Sequence, residues 1–219
     1  MDHTRHIGIF NASNLSVSLV GAGGIGAMAA LMLAKMGIPH LTVYDGDTVA
    51  PENMSTQLHR LGTEDEPKVE ALQKTLTLFS DDTSIYPAYR RITNNDELFG
   101  QVVISAVDSI KARKDIWAAV IRGSVGWYID ARMSAEEYQM YVIDMENPEK
   151  VAKYDAMISQ EDDSKIPDIP CTQKATFYCA AMAAAHIGAT VRKIVTGIRP
   201  VYYTVQNMLY NRLFALGEA

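Results

Sequence analysis

Cysteine is nearly missing from this sequence. Its 219 residues include only Cys171 and Cys179, so there is no C-x-x-C pair, still less the two pairs that enclose a structural zinc. The same count excludes a disulfide scaffold. Positive charge is scarce and scattered. Twenty Lys and Arg face 26 Asp and Glu, the formal net charge is −6, and no basic run exceeds the Arg90-Arg91 pair. A broad grip on phosphates has no source here, and no nucleic-acid partner is expected. Long apolar runs are also lacking. The segment from Ala175 to Val191 has no Asp, Glu, Lys or Arg, but its 17 residues are mostly small and include His186. That is too short and too weakly apolar for a bilayer, so no membrane partner is expected and a buried, close-packed helix is. The opening MDHTRHIGIF has no basic region followed by an apolar stretch, so the cytoplasm is the expected compartment.

What is present suits a globular chain. Hydrophobic residues make up 48% and charged residues 21%, enough to bury a core, and the length fits one domain over residues 1–219. Leu15 to Val20 is a β-rich run, followed at once by Gly21-Ala22-Gly23-Gly24-Ile25-Gly26 and a helical stretch from Ala27 to Met36. Gly37 stops that helix, and His40 to Tyr44 forms a second strand ending on Asp45-Gly46-Asp47, which completes a βαβ unit. Pro67 opens another helix, with Val69, Leu72, Leu76 and Leu78 on its apolar side. Strands are expected at Ser84 to Tyr89, Val102 to Val107, Trp127 to Asp130, Tyr138 to Asp144 and Pro200 to Gln206, with a Ser109-capped helix from Ile110 to Ile121. Glu146 to Pro170 reads as a long acidic surface loop with room for a short helix near Lys150 to Ile158, and a helix is expected from Thr172 to Val195. The fold class is α/β: a Rossmann-like, mostly parallel sheet with helices on both faces and a C-terminal antiparallel extension.

The chemistry begins at the glycines. In G-x-G-x-x-G the first glycine permits a tight turn, the second lets backbone approach a phosphate, and the third lets the helix pack on its strand. Gly21, Gly23 and Gly26 occupy those places, and the helix amino end behind them favours an anion. Asp45 closes the second strand 19 residues after Gly26, where a carboxylate can accept hydrogen bonds from ribose hydroxyls. This motif points to a nucleotide without separating NAD from ATP. An empty Rossmann-like domain is the bland alternative.

The segments DGDTVAPEN, then Gln57, then EPKVEAL, then VISAVDS resemble the ThiF family of ATP-dependent adenylyltransferases, which includes molybdopterin-synthase adenylyltransferases and the adenylation domain of ubiquitin-activating enzymes. The resemblance runs from Arg5-His6-Ile7 to the Cys171 region. It implies that Gly21, Gly23, Gly24, Gly26, Asp45, Asp47 and Gln57 line the nucleotide, with Asp45 on the ribose. Asn53 and Lys68 would contact the ATP phosphates, Asp108 would place Mg2+, and Arg5 would reach the neighbouring subunit's site in a homodimer. The implied reaction joins a carboxylate to AMP and releases pyrophosphate. The implied substrate is the C-terminal glycine of a small ubiquitin-like or sulfur-carrier protein. Those residue types suit the chemistry: the transition state and leaving pyrophosphate carry dense negative charge, which Lys68, Arg5 and Mg2+ would neutralise.

Plainer roles stand beside these. Lys68 could be a solvated charge, Asn53 a turn residue, Asp108 a helix cap, and Arg5 part of a frayed end. The sequence also departs from the family. Thr56 stands where many relatives carry an arginine, with Arg60 one turn away as a possible substitute, and the paired zinc cysteines are absent. No catalytic-cysteine or ubiquitin-fold domain fits in 219 residues, so a small stand-alone member is expected. Cys171, in IPCTQ, resembles the crossover-loop region where some members place a reactive thiol; a nucleophile at a helix amino end and a small buried residue are both open readings. Cys179 and His186 read as packed core. Arg132 is a candidate grip for a substrate carboxylate, and Arg113 either faces the nucleotide or is a surface charge. Two other functions use the same glycines: an NAD-dependent oxidoreductase, which leaves Lys68 and Asp108 without a task, and a non-catalytic nucleotide-gated scaffold, which accounts for Thr56.

Overall fold

Apolar residues on both faces of adjacent strands build this molecule. The computed structural model describes residues 2–162 and 175–219. In chain order they form β1 (Ser16–Val20), α1 (Gly24–Lys35), β2 (His40–Tyr44), a short 3-10 turn (Pro51–Asn53), α2 (Lys68–Leu76), β3 (Ser84–Ala88), β4 (Phe99–Ser105), α3 (Ile110–Arg122), β5 (Ser124–Ser134), β6 (Glu137–Asp144), α4 (Pro148–Gln160), α5 (Phe177–Val195), β7 (Val201–Asn207) and β8 (Arg212–Glu218). One eight-stranded sheet runs β3-β2-β1-β4-β5-β6-β7-β8. Strands β1 to β5 pair in parallel, and β6, β7 and β8 continue antiparallel. This is the Rossmann-like mixed sheet with an antiparallel C-terminal extension.

The period-two alternation of strands sorts side chains between two cores. Val17, Leu19, Val102, Ile104, Ile129 and Ala131 pack beneath α1, α2 and α5. Val20, Val103, Tyr128 and Ile143 pack under α3 and α4. Helices α1 and α5 meet through small residues, including Ala27, Ala30, Ala180, Ala183 and Ala184, all buried. Among the described residues no helix is long and apolar enough to cross a membrane.

Three expectations need correction. The helix allowed near Lys150 to Ile158 is present and longer, α4 spanning Pro148–Gln160, with Pro148 in its first turn and the Asn147 side chain accepting from the Lys150 N–H (3.3 Å). Only Tyr154 and Ile158 bury fully there, a stripe one residue wide in an otherwise polar segment. Helix α5 begins at Phe177 rather than Thr172: Ala175 bridges to Ala135, and the Thr176 hydroxyl donates to the Ala135 carbonyl (3.3 Å), which holds both residues extended. Strand β8 was not expected, because every residue of RLFALGE is exposed and leaves no burial pattern.

Candidate nucleotide site

The three motif glycines meet three different constraints. Gly21 has φ +102°, and a Cβ there would lie 2.6 Å from the Ala106 carbonyl oxygen of the neighbouring strand's end. Only glycine accepts both conditions. A Cβ on Gly26 would collide with the Gly21 carbonyl, so this residue sets how closely α1 folds back on β1. Gly23 is different: the nearest atom to its Cβ position is Gln57 Nε2 at 3.9 Å. Only the end of the Gln57 side chain borders that position, at ordinary contact distance, so backbone there can meet a ligand. A Cβ on Gly24 would lie 3.2 Å from the Thr56 carbonyl oxygen, so the segment around Gln57 forms one wall of the turn.

Asp45 braces the turn from the end of β2. The Ala22 N–H donates to Oδ2 (2.7 Å) and the Asp47 N–H to Oδ1 (2.8 Å). Burial raises its carboxyl pKa against those two hydrogen bonds. Each oxygen keeps a second lone pair for a further donor. Asp47 organises the cations beside it. Its Oδ2 lies 3.4 Å from Lys68 Nζ, its Oδ1 accepts from Arg91 Nη2 at 2.7 Å, and its carbonyl accepts from the Lys68 N–H. Lys68 is 8% exposed, which decides against the solvated-charge alternative. Asn53 ends the 3-10 turn, and its side-chain oxygen accepts from the Ala50 N–H (3.2 Å), so its visible work is turn closure. Arg60 is exposed and contacts none of these groups, which leaves Thr56 without a substitute cation on that side. Arg91 escaped the sequence reading, where it registered only as half of a basic pair; its place one strand away from Asp47 carried no local signal.

His59 was also missed. Both its ring nitrogens are buried without a hydrogen-bond partner among the described residues. Burial lowers its pKa, and the Lys68 charge adds to that. His186 is lowered as well, by burial and then Lys193. Both take up a proton less readily folded than unfolded, and the unfolded chain gains protons as pH falls through about 6.5. Stability should therefore be full above that value and drop as pH falls below it. Urea midpoints at about pH 7.5 and about pH 5.5 read this directly, and the drop should shrink in His59→Gln combined with His186→Gln. A wild-type midpoint that does not change across this window contradicts the assignment.

Asp108 follows β4 at the carboxyl edge of the sheet, where open α/β sheets place ligands. It is exposed and has no side-chain partner among the described residues. The cap of α3 is Ser109, whose hydroxyl accepts from the Ala112 N–H, so Asp108 does not serve as the cap. Arg113 is neither a surface charge nor exposed to a ligand. It is 4% exposed and paired with Asp130, and it also donates to the carbonyls of Val107 and Ala131. Burial works to raise the Asp130 pKa, but Arg113, Arg132 and the Tyr154 hydroxyl (2.8 Å) outweigh it and hold the carboxyl below its ordinary range.

Arg132 donates through Nε to Asp130 (2.8 Å) and through Nη1 to both oxygens of Glu161 (2.7 Å). Cys179 is buried core, its thiol pushed up to about 11 by burial, and His186 Nδ1 lies 3.1 Å from the Tyr138 hydroxyl. Arg5 sits exposed on the N-terminal turns, away from these groups. Cys171 lies outside the described residues, and α5 begins six residues beyond it, so the helix amino end invoked for its thiol starts at Phe177.

The ThiF family model matches residues 6–216. Ubiquitin-like modifier-activating enzyme 5 of Dictyostelium discoideum is 32% identical over 133 residues, 53% of this chain and 35% of that protein. The Culex quinquefasciatus protein of the same name is 33% identical over 129 residues, 52% of this chain and 32% of its own. The chain thus matches about a third of the length of these curated relatives. Among solved structures, E. coli MccB with ATP superposes with a TM-score of 0.69 at 16% identity, covering 94% of this chain and 64% of that one. PaaA gives 0.69 at 17%, with the same coverage. These likenesses concern the fold. With the family model spanning nearly the whole sheet, from the N-terminal turns to β8, the chain belongs to the ThiF family.

Proposed function

We propose that this protein is an adenylyltransferase that activates the C-terminal carboxylate of a small ubiquitin-like or sulfur-carrier protein with ATP. The observation that carries the reading is the gathering, at one sheet edge, of an open glycine turn, the ribose-suited Asp45, the buried Lys68 held by Asp47, and the free carboxylate of Asp108. The names of the relatives support the substrate class.

A carboxylate oxygen attacks the α-phosphorus, the bond to the bridging oxygen breaks, and pyrophosphate leaves with that electron pair. Backbone N–H groups from Gly23 onward meet the phosphates, as helix amino ends do. Lys68 offsets the charge that develops on them. Among the described residues no group of three His, Cys, Asp or Glu is placed to hold a metal. A lone Asp108 fits Mg2+ bound mainly through phosphate oxygens, the usual arrangement for that ion, where it would screen the phosphates from the incoming carboxylate.

Arg5 is exposed and its side chain has no partner among the described residues, which fits service to a partner's site in a homodimer. Pyrophosphate release with purified sulfur-carrier and ubiquitin-like proteins tests the reaction, and Asp108→Ala should abolish it. Arg5→Ala should be inactive alone, yet mixing it with inactive Asp108→Ala should restore up to about a quarter of the activity, since one mixed site keeps both residues. No recovery on mixing removes the shared site.

A further inference from the structure

The pairing of Arg132 with Glu161 has a form that the fold does not require. Asp130, Arg113 and Tyr154 already make a closed buried group beside β4, and Arg132 Nε completes it. The outer end of the same guanidinium is turned away from that group. There Nη1 grips both oxygens of Glu161, while Nη2 is buried with no partner among the described residues. Two arginines against Asp130 alone leave one positive charge, and Glu161 balances it. Glu161 is a weak anchor. It sits at the carboxyl end of α4, where the helix dipole disfavours an anion, and its side chain is 26% exposed.

The place is right for a substrate group. Arg113 ties the cluster to the carbonyl of Val107, the residue before Asp108. The cluster lies two strands from β1 along the same sheet edge as the glycine turn.

We propose that Arg132 is the receptor for the C-terminal carboxylate of the polypeptide substrate, and that Glu161 fills it as an internal stand-in which the substrate displaces. This rests on the adenylation reading for the identity of the carboxylate. The fork geometry of arginine donates to two carboxylate oxygens, and Nη2, without a partner among the described residues, supplies the donor that Glu161 leaves unused. The free protein would be held in a low-affinity state, and only a chain end bearing a carboxylate would open it.

Acetyl-Gly-Gly is the probe, titrated into the full chain and followed through the Arg132 Nε–H resonance. Glu161→Gln should bind it about tenfold more tightly than wild type, the size of one charge-assisted hydrogen bond. The C-terminal amide of the same peptide should not bind, and Arg132→Lys added to Glu161→Gln should remove the gain. Equal affinity in wild type and Glu161→Gln, equal binding of the amide, an equal gain for inorganic phosphate, or no binding to Glu161→Gln each overturns the proposal. Because Glu161→Gln removes a charge that balances Arg132, a modest fall in the thermal midpoint is expected, and a circular dichroism spectrum like that of wild type checks that the fold is intact. Pyrophosphate release is read separately. Release by wild type together with equal probe affinity in wild type and Glu161→Gln defeats this inference and leaves adenylation standing; no release by wild type with the probe gain kept defeats adenylation alone.

Discussion

Replacing Lys68 with alanine should lower pyrophosphate release by at least about a hundredfold, the usual cost of losing one preorganised donor to developing charge. The fold should survive. Lys68 is buried, but its partner Asp47 keeps Arg91, so no carboxylate is stranded. Lys68→Arg should rescue little, since a planar fork does not reproduce a compact ammonium in a tight space. Steady-state release alongside circular dichroism checks this. Activity within about threefold of wild type, in a folded protein, would remove Lys68 from the chemistry.

Asp130→Asn should be strongly destabilising, at about 3–5 kcal/mol, because it leaves Arg113 in the interior with no carboxylate and Arg132 with Glu161 alone. Asp130 is fully buried and receives Arg113, Arg132 and the Tyr154 hydroxyl. That loss is a large part of the stability of an ordinary domain. A urea denaturation series measures it. A cost below about 1 kcal/mol would show that the cluster is solvated or rearranges, and it would weaken the case for a rigid Arg132.

The nucleotide half of the molecule was legible because its signals are local. Gly21, Gly23 and Gly26 lie within one turn, and the strand ending at Tyr44 and the Ser109 cap are read from neighbours in sequence. Asp45 was legible for the same reason, since its hydrogen bonds to Ala22 and Asp47 follow from the turn. The other half is held by pairs far apart in the chain. Arg113 finds Asp130, Tyr154 reaches the same carboxylate, and Arg91 meets Asp47. No periodicity announces such pairs, so Arg113 was left between the nucleotide and the surface when it is wholly internal, and Arg132 was read as a substrate grip when it is already held by Glu161. Helix α4 was glimpsed only near Lys150 to Ile158, short of its full extent, for a related reason: its buried side reduces to Tyr154 and Ile158. Strand β8 hid because a sheet edge with both faces exposed carries no alternation.

The central claim is that this glycine turn holds ATP for adenylation. Calorimetric titration of the chain with Mg-ATP and, separately, with NAD tests it most directly. The account predicts saturable binding of Mg-ATP, weakened in Lys68→Ala, and no comparable binding of NAD. Tight NAD binding with none for Mg-ATP would contradict it.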